Sequence, residues 1–395
     1  MSAAVKAHGM DGTLVEPDWP PLTLAEVRAL LSGFSDCREP VKILWVSPRP
    51  LSAACVVAAD GRRVFIKRHH RTVRSREELL EEHRFMKHLL AHGAPVPLVY
   101  AAASGETAIE IGEWTYEVHE AFTGDIYEDA LSWTPFRGNA HAYFAGQALA
   151  GLHLAAQGFD ASRRKAQLLV ASFTIFAAED PGKELRRYLA ARPALNDYLL
   201  RRGVCNEALD LLAPFHARLL PLLPALPPLW THNDLHGSNL FWSDAGSEAR
   251  VAAIVDFGLS DRSNAVHDLA IAIERNIVEW LFQEQNNAPH EDAPVHLDQL
   301  HALLAGYESL RPLSDEEAAA LVPMTALCHA EFALSEADYF LTVLHSEMNT
   351  RRACEDYLVG HARWFHGAGG KKLLQALDRW TETRRQESAH LGAGA

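Results

Sequence analysis

The chain has 395 residues, 48% of them hydrophobic and 22% charged, with a formal net charge of -14 at pH 7. That is enough sequence for two or three cores with an ordinary globular composition, so disorder is not expected. An acidic balance of this size excludes a general nucleic-acid binder, which needs a basic surface to displace phosphate counterions, and suits a small cationic or neutral partner. The cysteines (Cys37, Cys55, Cys205, Cys328 and Cys354) are odd in number and form no C-x-x-C pair, as expected of reduced thiols. No basic segment followed by an apolar run opens the chain, so no secretory signal is expected. The most apolar window, LLAPFHARLLPLLPALPPLW, is broken by His216, Arg218 and its prolines, which argues against a membrane span. The expected compartment is the cytoplasm.

Residues 1 to about 20 read as a loose leader. Thr23 then caps LAEVRALLSGF, whose apolar residues recur at helical spacing and stop near Gly33, so 1–40 should hold the leader and one helix. VKILWVSP, SAACVVAAD and RRVFIKRHH are short runs rich in β-branched residues, and Asp60-Gly61 between the last two signals a tight hairpin. SREELLEEHRFMKHLLAHG opens with Ser75 and Glu78 in capping-box spacing and closes on Gly93 ahead of Pro95 and Pro97, which predicts a helix. VPLVYAAA and EWTYEVHEAF read as further strands. From Gly124 the pattern turns helical: NAHAYFAGQALAGLHLAAQG, a stretch around 183–202, CNEALDLLAPFHARLLPLL, VHDLAIAIERNIVEWLFQEQ, LDQLHALLAGYESL and EEAAALVPMTALCHAEFALSEADYFLTVLHSEM. Only LFWSD and ARVAAIVDFG read as strands there, a small hairpin about Gly246, and ESAHLGAGA reads as a frayed tail. The expectation is an α+β architecture: a small antiparallel β lobe with one helix (41–122), a larger mainly helical lobe (123–380) and a tail (381–395).

WTHNDLHGSNLFW, residues 230–242, concentrates polar side chains at an apolar-flanked turn. Two chemistries fit the spacing. His232 and His236 stand four apart, as in a helical zinc pair, but Asn233-Asp234-Leu235 between them supplies no H-E-x-x-H glutamate and the glycine after them is loop chemistry. Phosphoryl transfer asks instead for H-x-D-x-x-x-x-N, a strand hairpin and then D-F-G, and the chain supplies His232, Asp234, Asn239 and Asp256-Phe257-Gly258 in that order. A carboxylate is needed to meet a hydroxyl, and an amide oxygen with a second carboxylate to hold magnesium on phosphate oxygens. Upstream the same chemistry needs a strand lysine and a helix glutamate. Lys67 lies in the apolar strand VFIKRHH, and Glu82, with Glu81 as the alternative, lies beside the apolar stripe of Leu79, Met86 and Leu89.

On HNDLHGSNLFW, VDFGLSDRSNAVHDLA, the strand lysine and LLEEHRFMKHLLAHGAPVP, the chain resembles the aminoglycoside phosphotransferase and choline kinase group, over roughly residues 40–365. Within that group it is also similar to homoserine-kinase-like members. The resemblance implies a two-lobed protein-kinase-like fold and an ATP- and Mg2+-dependent phosphotransferase acting on a small hydroxylated acceptor: an amino alcohol, homoserine-like amino acid, aminoglycoside or sugar. It implies that Lys67, oriented by Glu82, holds the nucleotide phosphates, that Asp234 accepts or orients the hydroxyl proton, and that Asn239 and Asp256 bind magnesium. Asp268 would brace the catalytic loop through backbone hydrogen bonds and His232 would pack beneath it. His236 stands where many kinases of this fold carry a lysine, so it is read either as an imidazolium beside the transferring phosphate or as a packing residue.

The flap SPRPLSAAC has no G-x-G-x-x-G, so Ser52 and nearby backbone amides are expected to take the phosphate-binding role of glycines. No A-P-E motif follows Leu259, which favours a small acceptor over a protein. Glu331, Glu336 and Asp338 are candidates for a pocket receiving an amine, and Glu274, Arg275 and Asn276 are placed near the cleft. GRRVFIKRHHRTVRSR reads, apart from Lys67, as a solvated face, and GAGGKKLL as a helix start rather than a Walker loop. The competing expectations are a catalytically silent nucleotide-binding or scaffold protein on the same fold, and a zinc hydrolase using His232 and His236. No nucleic acid or membrane partner is expected, and the sequence names no protein partner.

Overall fold

The computed structural model describes residues 7–8, 14–35, 37, 39–124, 134–244, 248–282 and 293–393. Five strands, β1 (Pro40–Val46), β2 (Ala53–Ala59), β3 (Arg62–His70), β4 (Ala108–Ile111) and β5 (Trp114–Glu120), form one antiparallel sheet in the order β1-β2-β3-β5-β4. Asp60 and Gly61, with φ of 49° and 75°, make the β2–β3 turn left-handed at both central residues, the twist a two-residue hairpin requires.

Side-chain alternation gives this sheet two unlike faces. Cys55, Val57, Val64, Ile66, Tyr116 and Val118 pack against Val27, Leu30 and Leu31 of α1 (Leu24–Leu31), whose first turn is closed by a Thr23–Glu26 capping box. The other face carries Lys67, His69, Glu117 and His119 and is met by α2 (Arg76–Ala91), also opened by a capping box, from Ser75 and Glu78. Burying ionisable groups costs stability unless each finds a partner. The polar face is therefore where the first lobe departs from simple packing.

The second lobe is built from α3 (Asn139–Ala155), α4 (Pro181–Ala190), α5 (Pro193–Arg202), α6 (Val204–Leu219), α7 (Ala265–Ile277), α8 (Leu297–Glu308), α9 (Asp315–Leu327), α10 (Ala330–Thr342), α11 (Glu347–Arg351), a π-helical stretch Arg352–Gly360, α12 (His361–His366) and α13 (Ala368–Ala393). Helices α3 and α8 pack backbone to backbone: a Cβ on Gly146 would strike the Leu303 carbonyl, and one on Gly306 the Tyr143 carbonyl. Every residue of α7 is buried, so this helix is the axis of the lobe. The stretch Asp315–Thr342 is long and apolar enough to cross a membrane, but 94% of its most apolar window is buried inside the protein, as befits a core helix.

Several expectations are corrected. VPLVYAAA is not a strand: after Pro95 and Pro97 only Val99 bridges to His119, and the edge strand is Ala108–Ile111 instead. The 183–202 stretch breaks into α4 and α5 at Pro193, and the long run beginning at residue 316 breaks into α9 and α10 around Cys328 and His329. GAGGKKLL does open a helix, α13 at Ala368, but that helix runs on to Ala393 through most of the segment read as a tail. Arg68, His69 and Arg74 are buried rather than on a solvated face. Gly246, the predicted hairpin tip, lies outside the described residues.

Candidate active site

Two short ladders bring the polar turn and the Asp-Phe-Gly segment together. β6 (Pro228–Thr231) pairs antiparallel with β9 (Asp261–Asn264), and β7 (Leu240–Trp242) with β8 (Val251–Ile254). Residues 232–239 run from β6 into β7, and 255–260 from β8 into β9. Both loops therefore end on the same ladders, and the Val255 N–H donates to the Asn239 carbonyl at 3.0 Å. Sequence patterning missed β6 and β9, which are short and carry Pro228 and the polar run Asp261–Asn264.

Within the first loop the Asn239 amide nitrogen donates to the Asp234 carbonyl at 2.9 Å and to its carboxylate at 3.0 Å. The amide oxygen is thereby turned away from Asp234. Across the loops, Lys67 on β3 donates to Asp256 Oδ1 at 2.8 Å. Burial lowers the Lys67 pKa, but Asp256, Glu117 and Glu82 more than restore it and leave it raised. Partial desolvation in the cleft would raise the pKa of Asp256, whose side chain is still exposed, and Lys67 more than reverses that, holding the carboxyl well below the usual carboxylate range. Both groups are thus charged at neutral pH. A Cβ on Gly258 would come within 3.1 Å of Asp256 Oδ1, so the glycine leaves room for this pair.

Glu82 does not meet Lys67 in the way the sequence implies. It is buried, but its carboxylate accepts from Arg164 Nη2 at 3.3 Å and acts on Lys67 only through its charge. Arg164 also donates to the Gly258 carbonyl at 2.8 Å, and its backbone N–H reaches Asp261 Oδ1 at 2.8 Å, so it couples α2 to the Asp-Phe-Gly segment. Glu81 accepts from the Lys165 N–H at 3.1 Å. In the flap, Arg49 reaches the 232–239 loop, donating to Ser238 Oγ within the field of Asp256; Ser52 is half-buried near the start of β2. Arg49 and Arg164 lie on irregular segments, where periodicity gives no signal.

Asp268, the first-turn acidic residue of α7, is fully buried and accepts from the His232 N–H at 2.9 Å, the Asn233 N–H at 2.8 Å and His153 Nε2 at 3.0 Å. Asn233 and Asp256 are both left-handed, at φ of 61° and 62°. Such strain persists only where surrounding bonds over-determine it. For Asn233 those bonds come from Asp268 and from Thr231 Oγ1, which reaches its side-chain oxygen at 2.8 Å.

His232 packs against Phe257 at 4.8 Å, its Nε2 bonded to the Val255 carbonyl at 3.0 Å and its Nδ1 accepting from the Asp234 N–H at 3.2 Å. Both ring nitrogens are held by backbone groups rather than turned toward His236, which argues against a zinc pair of the two. Burial, reinforced by Arg49, holds the His236 pKa well below its ordinary value, so the ring is neutral rather than an imidazolium. Its Nδ1 pairs with Ser238 Oγ at 2.8 Å and its Nε2 lies 3.7 Å from Asp234.

The residues placed near the cleft by sequence position separate into two groups. Glu331 is tied to Thr174 and to the Ile175 N–H, Asp338 to Arg192 at 3.4 Å, and Glu274 to His361 at 2.7 Å. Asn276 braces the loop through the Leu235 carbonyl at 2.9 Å and the Gly237 N–H at 3.1 Å. These are structural ties. Arg275, in contrast, forms an ion pair with Asp234, and its guanidinium lies 5.1 Å over the Phe332 ring. Glu336 is buried with Oε2 unpartnered; burial pushes its pKa up to about 7, opposed by Arg275 and assisted by Asp18.

The family model of the phosphotransferase enzyme family matches residues 52–313, which span β2 to α8 and include both loops and α7. The chain belongs to the phosphotransferase enzyme family. Its relatives include the homoserine kinase of Gluconacetobacter diazotrophicus, 30% identical over 55% of this chain and 59% of that protein. The chain thus spans under two thirds of that relative's length. The homoserine kinase of Rhizobium rhizogenes is 26% identical over 69% of this chain and 73% of its own. In fold, the chain is similar to a microcompartment-associated aminopropanol kinase, with a TM-score of 0.55 and 16% identity over 87% of this chain and 98% of the other. The protein-kinase-like architecture expected from the motifs is the one this family member has.

Proposed function

We propose that the protein is a small-molecule kinase that transfers the γ-phosphoryl group of ATP, with magnesium, to a hydroxyl on a small amine-bearing acceptor. The observation that carries this reading is the meeting of Lys67, Asp256, Asn239 and Asp234 across two facing loops, held by the Lys67–Asp256 bond at 2.8 Å and the Asn239–Asp234 bond at 3.0 Å. The donor set fits a hard divalent ion: the Asn239 amide oxygen turned away from Asp234, and an ionised Asp256 carboxylate whose side chain is 40% exposed. Magnesium, when bound there, would neutralise charge on the phosphoryl oxygens. Lys67 and Arg49 supply fixed positive charge for the nucleotide phosphates, and Asp234 orients the acceptor hydroxyl and takes its proton. Asp268 and Asn276 hold the loop that presents Asp234. Rate would come from positioning and charge neutralisation rather than covalent chemistry.

Arg275 and Glu336 support an acceptor bearing both a carboxylate and an amine. A buried guanidinium beside Asp234 is suited to an acceptor carboxylate, and an unpartnered buried carboxyl to an ammonium. The homoserine kinases among the relatives are consistent with a hydroxy amino acid. Arg275→Met is expected to raise KM about 10- to 100-fold for acceptors carrying a carboxylate, the worth of one charge-assisted bond, and to leave KM for carboxylate-free amino alcohols unchanged. Equal effects on both acceptor classes would remove the carboxylate assignment.

A nucleotide-consumption screen over hydroxylated amino acids, amino alcohols, aminoglycosides and sugars tests the whole reading. Acceptor-dependent ADP release is the expected result. Mg-ATP binding without turnover on any acceptor would instead favour a silent nucleotide-binding protein. Lys67→Ala should weaken nucleotide use most, seen as loss of the Mg-ATP-induced rise in melting temperature; an unchanged rise and rate would overturn the role given to the strand lysine.

A further inference from the structure

The first lobe holds a second cluster that phosphoryl transfer does not use. On the polar sheet face, Glu117 on β5 stands directly opposite Lys67, and His119 lies two residues further on. His83 descends from α2 to the same point. His83 Nε2 lies 2.9 Å from Glu117 Oε2, and His119 Nε2 lies 3.1 Å from that same oxygen. All three residues are buried, at 4%, 1% and 7% exposure.

From this geometry we propose that His83, Glu117 and His119 form a binding site for a zinc-class divalent metal, separate from the magnesium position at Asn239 and Asp256. One donor atom from each of the three falls within 4.8 Å of the others, the span a single ion can bridge with small adjustment. His119 Nε2 is a buried nitrogen without a hydrogen-bond partner despite its approach to Glu117, so hydrogen bonding alone leaves the cluster incomplete. The outer contacts are those a metal ligand needs. His83 Nδ1 is bonded to Thr107 Oγ1 at 2.9 Å, which can fix the tautomer with its Nε2 lone pair turned to the cluster. His69 Nε2 holds the far oxygen of Glu117 at 3.1 Å and leaves Oε2 for the ion.

Charge and ligand type select the metal class. Two imidazoles and one carboxylate suit zinc or a similar borderline ion, whereas magnesium prefers oxygen donors. Lys67, opposite Glu117 on the sheet, has its ammonium bonded to Asp256 instead. Because the ligands come from α2 and β5, the ion would tie the helix bearing Glu82 to the sheet bearing Lys67. Its role would be to hold the nucleotide-facing side of this lobe in place.

The test uses the full chain without a histidine tag, dialysed against zinc, passed over a desalting column and analysed for metal. About one zinc per chain is expected, held by the three side chains with water as the fourth ligand. His119→Gln, a variant of similar volume, should lose that zinc while still folding by circular dichroism. Cobalt in place of zinc should give the intense visible absorption of a tetrahedral site in the unaltered chain, a readout that needs no variant. A chelator should lower the melting temperature of the wild type and not of His119→Gln. Metal content near zero with no cobalt spectrum would reduce the cluster to a hydrogen-bonded network, and zinc retained in full by His119→Gln would place the ion elsewhere; either outcome overturns the proposal.

Discussion

Replacing Asp234 by asparagine is expected to lower turnover by about 10²- to 10⁴-fold, the range for loss of a positioned general base. At 1.36 kcal/mol per decade this is a barrier increase of roughly 2.7–5.4 kcal/mol. The substitution keeps the side chain's shape and its place beside Asn239, 3.0 Å away, but removes the charge that faces Arg275. No neighbour is expected to take over the proton: His232 Nδ1 already accepts from the Asp234 N–H, and His236, 3.7 Å from the carboxylate, is buried with its Nδ1 bonded to Ser238 Oγ. Nucleotide affinity should stay within a few-fold, since Lys67 and Asp256 are untouched. The measurement is kcat and KM on an accepted substrate, with the Mg-ATP-induced rise in melting temperature as the control for binding. Turnover near the wild-type value in this variant would move the base elsewhere.

The sequence exposed this centre because its chemistry is local. His232, Asp234 and Asn239 occupy one turn, and Asp256 follows after a single hairpin, so spacing alone implied that they meet. Capping boxes at Thr23 and Ser75 marked two helices for the same reason, being contacts of three residues' span. What was not legible depends on contacts between distant segments. Arg164 finds Glu82 across 82 residues, and Arg49 finds Ser238 across 189, both from loops whose course no periodicity reports. Lys67 lies inside β3 as its sequence predicts, yet its direct partner is Asp256, while Glu82 pairs with Arg164. Charge content does not tell which residues of the basic run around Lys67 face inward: Arg68 pairs with Glu26 at 2.7 Å and Arg74 with backbone carbonyls. The histidine–glutamate cluster is of the same kind, since His83 and Glu117 lie on different elements and meet only when α2 closes over the sheet.

Substituting Asp268 by asparagine should be the most damaging single change to the fold of the site. Two backbone N–H groups and one imidazole nitrogen converge on this carboxylate, and His153 is held in turn by Tyr307 at 2.7 Å. An amide keeps one acceptor oxygen but turns an N–H2 toward those donors, leaving buried groups unsatisfied in the core. Breaking a buried ionic contact in this way costs about 3–5 kcal/mol, to be read as a fall in the urea midpoint at unchanged slope. Turnover should fall with it, because residues 232–234 lose their brace. The effect has a defined pH signature. Burial would raise the Asp268 pKa, but the bond from His153 and the charges around it lower it below the ordinary 3.8 in the folded chain. As pH falls the unfolded state therefore takes up its proton first, so the contribution is complete above about pH 4 and is lost as pH drops through the folded value. The stability gap between wild type and Asp268→Asn should accordingly narrow as pH falls below about 4. A gap that stays constant into acid would mean that shape rather than charge at Asp268 holds the catalytic loop.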